Sequence, residues 1–229
     1  MTFSLLAFDD KSQSLGICSI TSSPAHGQRC PHLKKGVGVV TTQGMSNRFH
    51  GETALKLMEA GFSPEQCIQA TKELDVNIEC RQIAIIDAQG RKAAFTGGKT
   101  KDFHGHLIGE QYIAAGNYLA SEKVIESMVD GFLSGSGELA DRLLSGCIAG
   151  QSAGGERGGA YSGFLIIVRP DQMQPWGAHV DIRIDFSRDL IQSMTDALSE
   201  YRRWERDRLN DRLYTLDDSA PVHSLTSPK

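Results

Sequence analysis

The chain has 229 residues, of which 40% are hydrophobic and 23% charged, so it is neither a disordered chain nor a coiled coil. With 28 acidic and 24 basic residues its net charge is -4, which gives no electrostatic reason to expect nucleic acid or an anionic membrane as a partner. Five cysteines without a C-x-x-C pair, and no apolar stretch near the ~20 residues of a membrane span, predict a reduced cytoplasmic protein. The opening apolar run from Thr2 meets Asp9 and Asp10 and has no basic start, which argues against a signal peptide.

The first third of the chain predicts strands followed by a helix pair. Phe3 to Phe8 and Leu15 to Thr21, joined by a polar turn, are typical of a β-hairpin, and Val37 to Thr42 predicts a third strand. The intervening stretch, which contains two prolines, is interpreted as a loop. Helices are predicted over Phe49 to Ala60 and from Ser63 onward, where the letters SPEQ form a capping box.

The rest of the chain repeats this order of strands and helices. Strands are predicted over Ile83 to Ile86, Lys92 to Phe95, Leu107 to Ala115, Phe164 to Val168 and His179 to Asp185. Helices are predicted over Val124 to Leu133, over Leu139 to Ile148 and from about Leu190. Phe164 to Val168 is continuously apolar, which indicates a strand buried on both faces.

Hairpins alternating with helix pairs argue against a βαβ pattern. They favour an α+β fold, in which two stacked antiparallel sheets carry helix pairs outside them, a four-layer αββα sandwich. We expect one domain over residues 1–216, including the C-terminal helix from about 190, and a disordered tail over residues 217–229.

Three motifs are better explained by ordinary structure than by a functional site. Gly150 to Gly154 fits G-x-S-x-G, but a nucleophile elbow needs a strand before the serine, and a helix is predicted there. The glycine-rich loop from Gly154 to Gly159 contains Arg157 and is able to bind an anion, although a structural turn is the default interpretation. His104 and His106 have no evident further ligands, so we expect no metal and no cofactor.

Thr2 is the most specific candidate for a catalytic nucleophile. If an aminopeptidase removes Met1, the threonine hydroxyl is able to attack a carbonyl while its own α-amine takes the proton. The ordinary alternative is a threonine that starts an edge strand. Thr41, Gln43, Gly44 and Asn47 are the polar residues where the third strand meets the first helix, and they suit either an oxyanion site or plain helix capping.

Several motifs, taken in order, resemble a known family. They are Thr2 to Ser4, GVGVVTTQGMSN from Gly36, RQIAIIDAQGRKAAFTG from Arg81, Gly116-Asn117, and AGGER from Ala153. Over about Thr2 to Asp185 the chain resembles the bacterial domain-of-unknown-function family 1028. That resemblance implies an Ntn-hydrolase-like (N-terminal nucleophile) fold, again an αββα sandwich, but no established activity. The opening hairpin and the GVGVVTT strand also look like a proteasome β subunit, which uses an N-terminal threonine.

The chain departs from these patterns at two places. Family members often follow the glycine loop with arginines and a glutamine, whereas this chain has Gly158 to Tyr161 there. The lysine that proteasome subunits place near their threonine has no clear match, since Lys34 and Lys35 are the nearest by order and both fall in a predicted loop.

Two functional hypotheses follow. The first is an amide-bond hydrolase acting on a small-molecule amide or carboxylate, with Thr2 as nucleophile and base and Ser19 or Cys18 next in line. Gly44 N–H, Gln43 or Asn117 would stabilise the oxyanion, and Arg81 or Arg157 would hold a substrate carboxylate. The second is a non-catalytic module that keeps the fold and binds a small molecule or a protein; it is favoured by the missing lysine and by Met1, which blocks the threonine amine where it is retained.

The sequence makes two further predictions about geometry and assembly. If the protein is a hydrolase, one cleft should bring together Thr2, Thr41, Gln43, Asn47, Arg81 and Asn117. The last helix carries Tyr201 and Trp204 among charges of both signs, which predicts contact with a neighbouring chain in a homo-oligomer. Packing on its own domain is the competing interpretation.

Overall fold

The computed structural model describes residues 2–171 and 178–210, which form ten strands and five α-helices. The strands are β1 Thr2–Asp9, β2 Ser14–Thr21, β3 Pro31–Lys34, β4 Gly38–Gly44, β5 Arg81–Asp87, β6 Lys92–Thr96, β7 Gly105–Ile108, β8 Tyr112–Asn117, β9 Ser162–Val168 and β10 Val180–Ile184. The helices are α1 Arg48–Glu59, α2 Pro64–Leu74, α3 Lys123–Ser134, α4 Leu139–Ser152 and α5 Leu190–Asn210.

The strands form two sheets, and every named pairing within them is antiparallel. The six-stranded sheet has the order β10-β9-β2-β1-β8-β7, and the four-stranded sheet has the order β3-β4-β5-β6. The opening hairpin therefore lies at the centre of the larger sheet, next to the continuously apolar strand β9. This confirms the predicted pair of antiparallel sheets.

Period-two alternation in β1 shows how the layers stack. Leu6 and Phe8 belong to the apolar cluster between the two sheets, whereas Phe3 and Leu5 belong to the cluster that α3, α4 and α5 cover. A third cluster lies between the four-stranded sheet and the pair α1 and α2. The order of layers is therefore helices, four strands, six strands, helices, which confirms the αββα sandwich.

The structure differs from the sequence prediction at two strands. Pro31 begins the short strand β3 inside the stretch predicted as a loop, and it is tolerated because β3 is an edge strand. The single strand predicted over Leu107 to Ala115 is a hairpin. The N–H of Gly109 donates to the carbonyl of Tyr112 at 3.0 Å and closes the turn between β7 and β8.

The predicted capping box at the start of α2 is confirmed. The Ser63 hydroxyl accepts from the N–H of Gln66 at 3.3 Å, and the Gln66 side chain accepts from the N–H of Ser63 at 2.8 Å. These bonds satisfy two backbone donors that a helix start leaves open, and Pro64 at the first helical position lacks a donor.

Helix α5 covers the outer strands of its own six-stranded sheet. Leu190, Met194 and Leu198 are buried in the cluster that includes residues of β9 and β10, and the Tyr201 hydroxyl donates to the carbonyl of His179. Packing on its own domain, the competing interpretation of this helix, is therefore observed, because β9 and β10 extend the sheet beneath it. The homo-oligomer stays a prediction.

Two remaining predictions concern the ends and the environment of the chain. The boundary at residue 216 and the tail over residues 217–229 lie outside the described residues. Within the described ranges, none of the helices combines the length and the apolar character that crossing a membrane requires.

Candidate functional site

The space between the two sheets is apolar at one end and polar at the other. Along β1 the side chains facing the second sheet change from Phe8 and Leu6 to Ser4 and then Thr2. The same change occurs on other strands of both sheets. Their inward polar residues are Ser19, Thr21, Thr41, Gln43, Gln82, Asn117 and Ser162. Together with Thr2, Ser4 and His26 from the loop after β2, they form a cluster that we call the polar layer. Each member is at most 3% exposed, so each needs hydrogen bonds to offset the cost of burial.

Gln82 is the hub of the polar layer. Its Oε1 accepts from Gln43 Nε2 at 2.7 Å and from Asn117 Nδ2 at 2.9 Å. Its Nε2 lies at 2.9 Å from Thr96 Oγ1, at 2.9 Å from the carbonyl of Gly105 and at 3.0 Å from the carbonyl of Gly116. One side chain therefore joins the two sheets at the end where Thr2 lies.

A second chain of hydrogen bonds runs through two serines to His26. Ser4 Oγ donates its single proton to Gln43 Oε1 at 2.6 Å, so the single proton of Ser19 is shared between Ser4 Oγ at 2.6 Å and the carbonyl of Phe3 at 3.0 Å. Ser19 then has no proton left for His26 Nε2 at 2.7 Å, and the imidazole must donate to it. In this assignment His26 is neutral with its proton on Nε2, and it does not act as a base toward Ser19.

His26 makes the fold sensitive to acid. Burial, followed by the charge of Arg29, lowers the pKa of His26 from 6.5 to about 3. Below pH 6.5 the unfolded chain binds a proton that the folded chain rejects, so folding stability falls as the pH falls. The loss is about 1.4 kcal/mol for each pH unit. In His26→Gln, which keeps an N–H donor for Ser19, this component is absent.

Urea unfolding from pH 8 to 4.5 measures that component. The difference in unfolding free energy between wild type and His26→Gln should be constant above pH 7, where neither state is protonated. It should change by about 2.5 kcal/mol between pH 6.5 and 4.5, to the disadvantage of the wild type. Parallel curves over the whole range would contradict the assignment of a neutral buried imidazole.

Thr2 is linked to a buried carboxylate. Its Oγ1 donates to Thr21 Oγ1, which donates to Glu156 Oε2, each at 3.3 Å. Ser22 fixes the carboxylate through its backbone N–H at 2.9 Å and its hydroxyl at 2.5 Å. Burial raises the pKa of Glu156, although the Ser22 hydroxyl opposes that shift. The two long bonds hold the Thr2 hydroxyl weakly, since hydroxyl bonds are usually about 2.8 Å.

Thr2, Thr41, Gln43 and Asn117 lie together in the polar layer. Asn117 pairs with Thr2 across β1 and β8, and both side chains face the second sheet. Thr41 is fully buried, and its hydroxyl has no hydrogen-bond partner in the part of the chain that the structure describes. Gly44 ends β4 with a φ of 78°, and a Cβ there would lie 2.7 Å from the carbonyl oxygen of Cys80, so glycine is required.

Asn47 and Arg81 do not join that group. Arg81 is next to Gln82 in β5 and therefore points to the opposite face, where its Nε donates to Asp75 at 2.8 Å. Asn47 caps α1 by accepting from the N–H of Phe49 at 3.1 Å, and its Nδ2 lies 3.1 Å from His50 Nε2. Asn47 and Arg81 therefore share no cleft with Thr2, because these two side chains lie on the helix side of the four-stranded sheet, whereas the other four are buried in the polar layer.

Of the other sequence candidates, Ser19 belongs to the polar layer, whereas Cys18 and Lys34 lie away from it. Cys18 faces the cluster beneath α3, α4 and α5, because it alternates with Ser19 along β2. Lys34 forms an ion pair with Glu59. It pairs with Gly38, which lies at the other end of β4 from Gly44. Arg157 is exposed directly after Glu156.

The two other motifs take part in ordinary structure. Ser152 ends α4, so a helix precedes the G-x-S-x-G serine as the sequence predicts. His104 Nδ1 lies 2.9 Å from Thr100 Oγ1, and His106 Nδ1 lies 2.9 Å from Thr96 Oγ1. Across residues 2–171 and 178–210, no three His, Cys, Asp or Glu side chains are arranged to hold a metal ion.

Six contributors to the site were missed from the sequence: Ser4, Thr21, His26, Gln82, Glu156 and Ser162. Ser4 and Gln82 lie on strands buried on both faces, so periodicity does not tell which of their residues face the second sheet. His26 and Glu156 come from loops, where no such periodicity exists.

Comparison with known proteins identifies the family. Residues 2–194 match the model of a family of unknown function, DUF1028. The chain belongs to DUF1028. The crystal structure of a family protein from Silicibacter pomeroyi matches with 28% identity and a TM-score of 0.81, over 90% of this chain and 93% of that one. The resemblance drawn from the sequence motifs is therefore confirmed.

A second solved structure is more distant from this DUF1028 member. Anbu, an ancestral β-subunit from Yersinia bercovieri, matches with 12% identity and a TM-score of 0.43, over 90% of this chain and 97% of that one. A search of curated protein sequences finds no match.

Proposed function

We propose that this DUF1028 protein is an amide-bond hydrolase whose nucleophile is Thr2 after removal of Met1. The observation that carries the proposal is the path from Thr2 Oγ1 through Thr21 Oγ1 to the Glu156 carboxylate, at the edge of the polar layer. A β-sandwich core needs no polar side chains between its sheets, and burying them costs free energy. Polar groups gathered around the first residue that an aminopeptidase would expose are accounted for by chemistry at that residue.

In the proposed reaction the Thr2 hydroxyl releases its long bond to Thr21, and the α-amine of Thr2 takes the hydroxyl proton while Oγ1 bonds to the substrate carbonyl carbon. The carbonyl oxygen becomes an oxyanion, and we assign Asn117 as the donor of a hydrogen bond to it. Asn117 is the neighbour of Thr2 on β8, and among the described residues its Nδ2 donates only to Gln82, which leaves a second N–H. Collapse expels the amine, which takes the proton from the α-ammonium and leaves an acyl ester on Thr2. A water molecule, deprotonated by the same α-amine, then hydrolyses that ester.

Glu156 serves this reaction as a positioning residue. It accepts from Thr21, so the Thr21 oxygen keeps a lone pair for the Thr2 hydroxyl. Its negative charge also favours the ammonium that forms on Thr2 when the proton is transferred. Ser22 donates two hydrogen bonds to the carboxylate, and these bonds fix its position and orientation.

The test uses the chain with Thr2 as its first residue, released from a cleavable N-terminal fusion. Intact mass spectrometry first verifies the new terminus. A panel of fluorogenic acyl amides and a β-lactone probe, which acylates an activated hydroxyl, are then applied to this chain and to the Met1-retaining chain. We expect turnover and a single adduct on the Thr2 peptide only where Met1 is absent. Equal labelling of both chains, or no reaction with either reagent class, would remove the proposal.

Glu156→Gln should alter the pH profile as well as the rate. Without the anion the α-amine of Thr2 loses a stabilising partner for its charged form, so its pKa should fall by about 0.5–1 unit. The amine must be neutral to act as a base, so the acid limb of kcat/KM moves to lower pH. At pH 7.5 we expect kcat/KM to fall by about 10- to 100-fold through lost positioning.

The low-pH end of the same profile gives a second readout. In the wild type the slope should steepen where Glu156 itself protonates, at a pH above the usual range because burial raises its pKa. In Glu156→Gln that steepening should be absent. A profile with unchanged shape and only a lower amplitude would show a purely structural role for Glu156.

A binding module without catalysis is the second candidate. It is favoured by the closed state of the polar layer, in which Gln43, Gln82 and Asn117 bond to one another and Thr2 is only 3% exposed. A binding module would leave the amide panel uncleaved with or without Met1. Small-molecule amides or carboxylates would still raise its melting temperature.

A further inference from the structure

Backbone hydrogen bonds join three loop segments beyond the end of β8. The N–H of Tyr118 donates to the carbonyl of Lys101 at 2.8 Å, and the N–H of Leu119 donates to the carbonyl of Phe103 at 3.0 Å. On the other side the N–H of Arg157 donates to the carbonyl of Tyr118 at 3.0 Å. Tyr118 is thus held between the segment at residue 101 and the segment at residue 157, directly after Asn117, the partner of Thr2.

The side chains of these segments alternate cations with aromatic rings. Lys101 Nζ lies 5.1 Å from the centre of the Tyr118 ring, and Arg157 Cζ lies 5.9 Å from the same centre. Arg157 Cζ also lies 5.2 Å from the centre of the Phe103 ring, which is 38% exposed. We call these four residues the cationic rim. Such contacts hold the guanidinium at one place on the surface without using its N–H donors.

Among the described residues, no carboxylate neutralises either cation of the cationic rim. In the described ranges no carboxylate lies within ion-pair distance of Lys101 or Arg157. The acid next to Arg157, Glu156, is buried and turned to Ser22. By contrast, Arg81, Arg91, Arg183 and Arg202 each pair with an aspartate. Two positive charges held on aromatic rings with open donors suit an anionic ligand with a flat apolar part.

The cationic rim borders the path from Thr2 to Glu156 on both sides. Tyr118 follows the strand partner of Thr2, and Arg157 follows the carboxylate that Thr2 reaches through Thr21. The backbone of the cationic rim therefore adjoins two residues that flank this path, Asn117 and Glu156.

We propose that the cationic rim selects substrates of one class, amides that carry a carboxylate and an aromatic or other flat apolar group. Arg157 binds the carboxylate, Lys101 adds charge, and the rings of Phe103 and Tyr118 pack on the apolar group. The statement that these ligands are substrates rests on the proposed hydrolase function. Their binding to the cationic rim needs no catalysis.

The experiment therefore measures binding to a chain that cannot react. Calorimetry on Thr2→Ala compares N-benzoylglycine and N-acetylphenylalanine with their neutral carboxamides. We expect each acid to bind at least about 10-fold more tightly than its amide at low salt, since hydrogen bonds to charged groups are stronger than those between neutral groups. Arg157→Gln should remove that preference and Arg157→Lys should keep part of it. The control Arg203→Gln, an exposed arginine on α5, should leave it unchanged.

Equal binding of acid and amide, no binding of either acid, or equal losses in Arg157→Gln and Arg203→Gln would overturn the inference. The failures of the two proposals are distinguishable. Selective binding of the acids without any turnover by the Met1-free wild type supports the cationic rim and removes the hydrolase. Turnover of neutral amides as fast as acids removes the cationic rim alone.

Discussion

Replacing Thr2 with Ala in the chain that begins at residue 2 is expected to lower amide hydrolysis by about 10⁴-fold or more and to abolish the β-lactone adduct. The reason is chemical, because the hydroxyl forms the new bond and alanine keeps only the α-amine. Thr2→Ser should retain measurable turnover, since it has the same two groups. Both alanine and serine are small enough to permit removal of Met1, so all three chains have matched termini.

The matched control for that experiment is Ser152→Ala. Ser152 is exposed at the end of α4 and supplies the serine of the G-x-S-x-G motif, which the structure separates from the polar layer. Its replacement should leave turnover within about twofold. Activity that survives in Thr2→Ala but disappears in Ser152→Ala would reverse the assignment of the nucleophile. Hydrolysis unaffected by either change would mean that neither residue is the nucleophile.

The layered fold follows from local patterns that survive in the finished structure. The two-residue alternation of β1 and β10, the capping box at Ser63 and the apolar run of β9 each depend on neighbours in sequence. Such signals predicted the elements closely, and hairpins separated by helix pairs then left few arrangements apart from stacked sheets. The strand β3 was missed because its four residues contain a proline and a buried histidine, and only its pairing with β4 makes it a strand.

The candidate site was only partly predictable, and β5 shows why. Both faces of this strand are buried, by the other sheet on one side and by α1 and α2 on the other. Its apolar residues therefore run continuously, and periodicity does not tell which face meets the second sheet. Arg81 was chosen because its charge suits a ligand, yet the neighbouring Gln82 faces the polar layer. A single step along a strand reverses the side.

Two side chains of the candidate site, His26 and Glu156, come from loops, where no sequence pattern predicts them. His26 lies seven residues from Ser19, but Glu156 lies 135 residues from Thr21, and each pair meets only after the sheets have formed. Those contacts depend on the order of strands in the six-stranded sheet, where β9 follows β2. The sequence therefore indicated Thr2 as a candidate without the groups that orient it.

The largest stability effect is expected at Gln82. Gln82→Met nearly conserves volume, so the cost comes from the hydrogen bonds and not from a cavity. It leaves two amide donors, on Gln43 and Asn117, and the carbonyls of Gly105 and Gly116 without their partner in a region closed to water. Each such group costs about 1–3 kcal/mol, and relaxation of neighbours reduces the sum, so we expect a loss of about 3–5 kcal/mol.

Urea unfolding of Gln82→Met measures this loss, and Gln69→Met is its control. Gln69 is exposed on α2 and bonds only to the neighbouring turn through Glu73, so the same exchange there should change stability by less than about 0.5 kcal/mol. Comparable small effects at both positions would show that the polar layer rearranges freely and that its amides are not fixed by Gln82. A large effect at Gln82 alone means that the donor of Asn117 is held in place beside Thr2, which the proposed oxyanion contact requires.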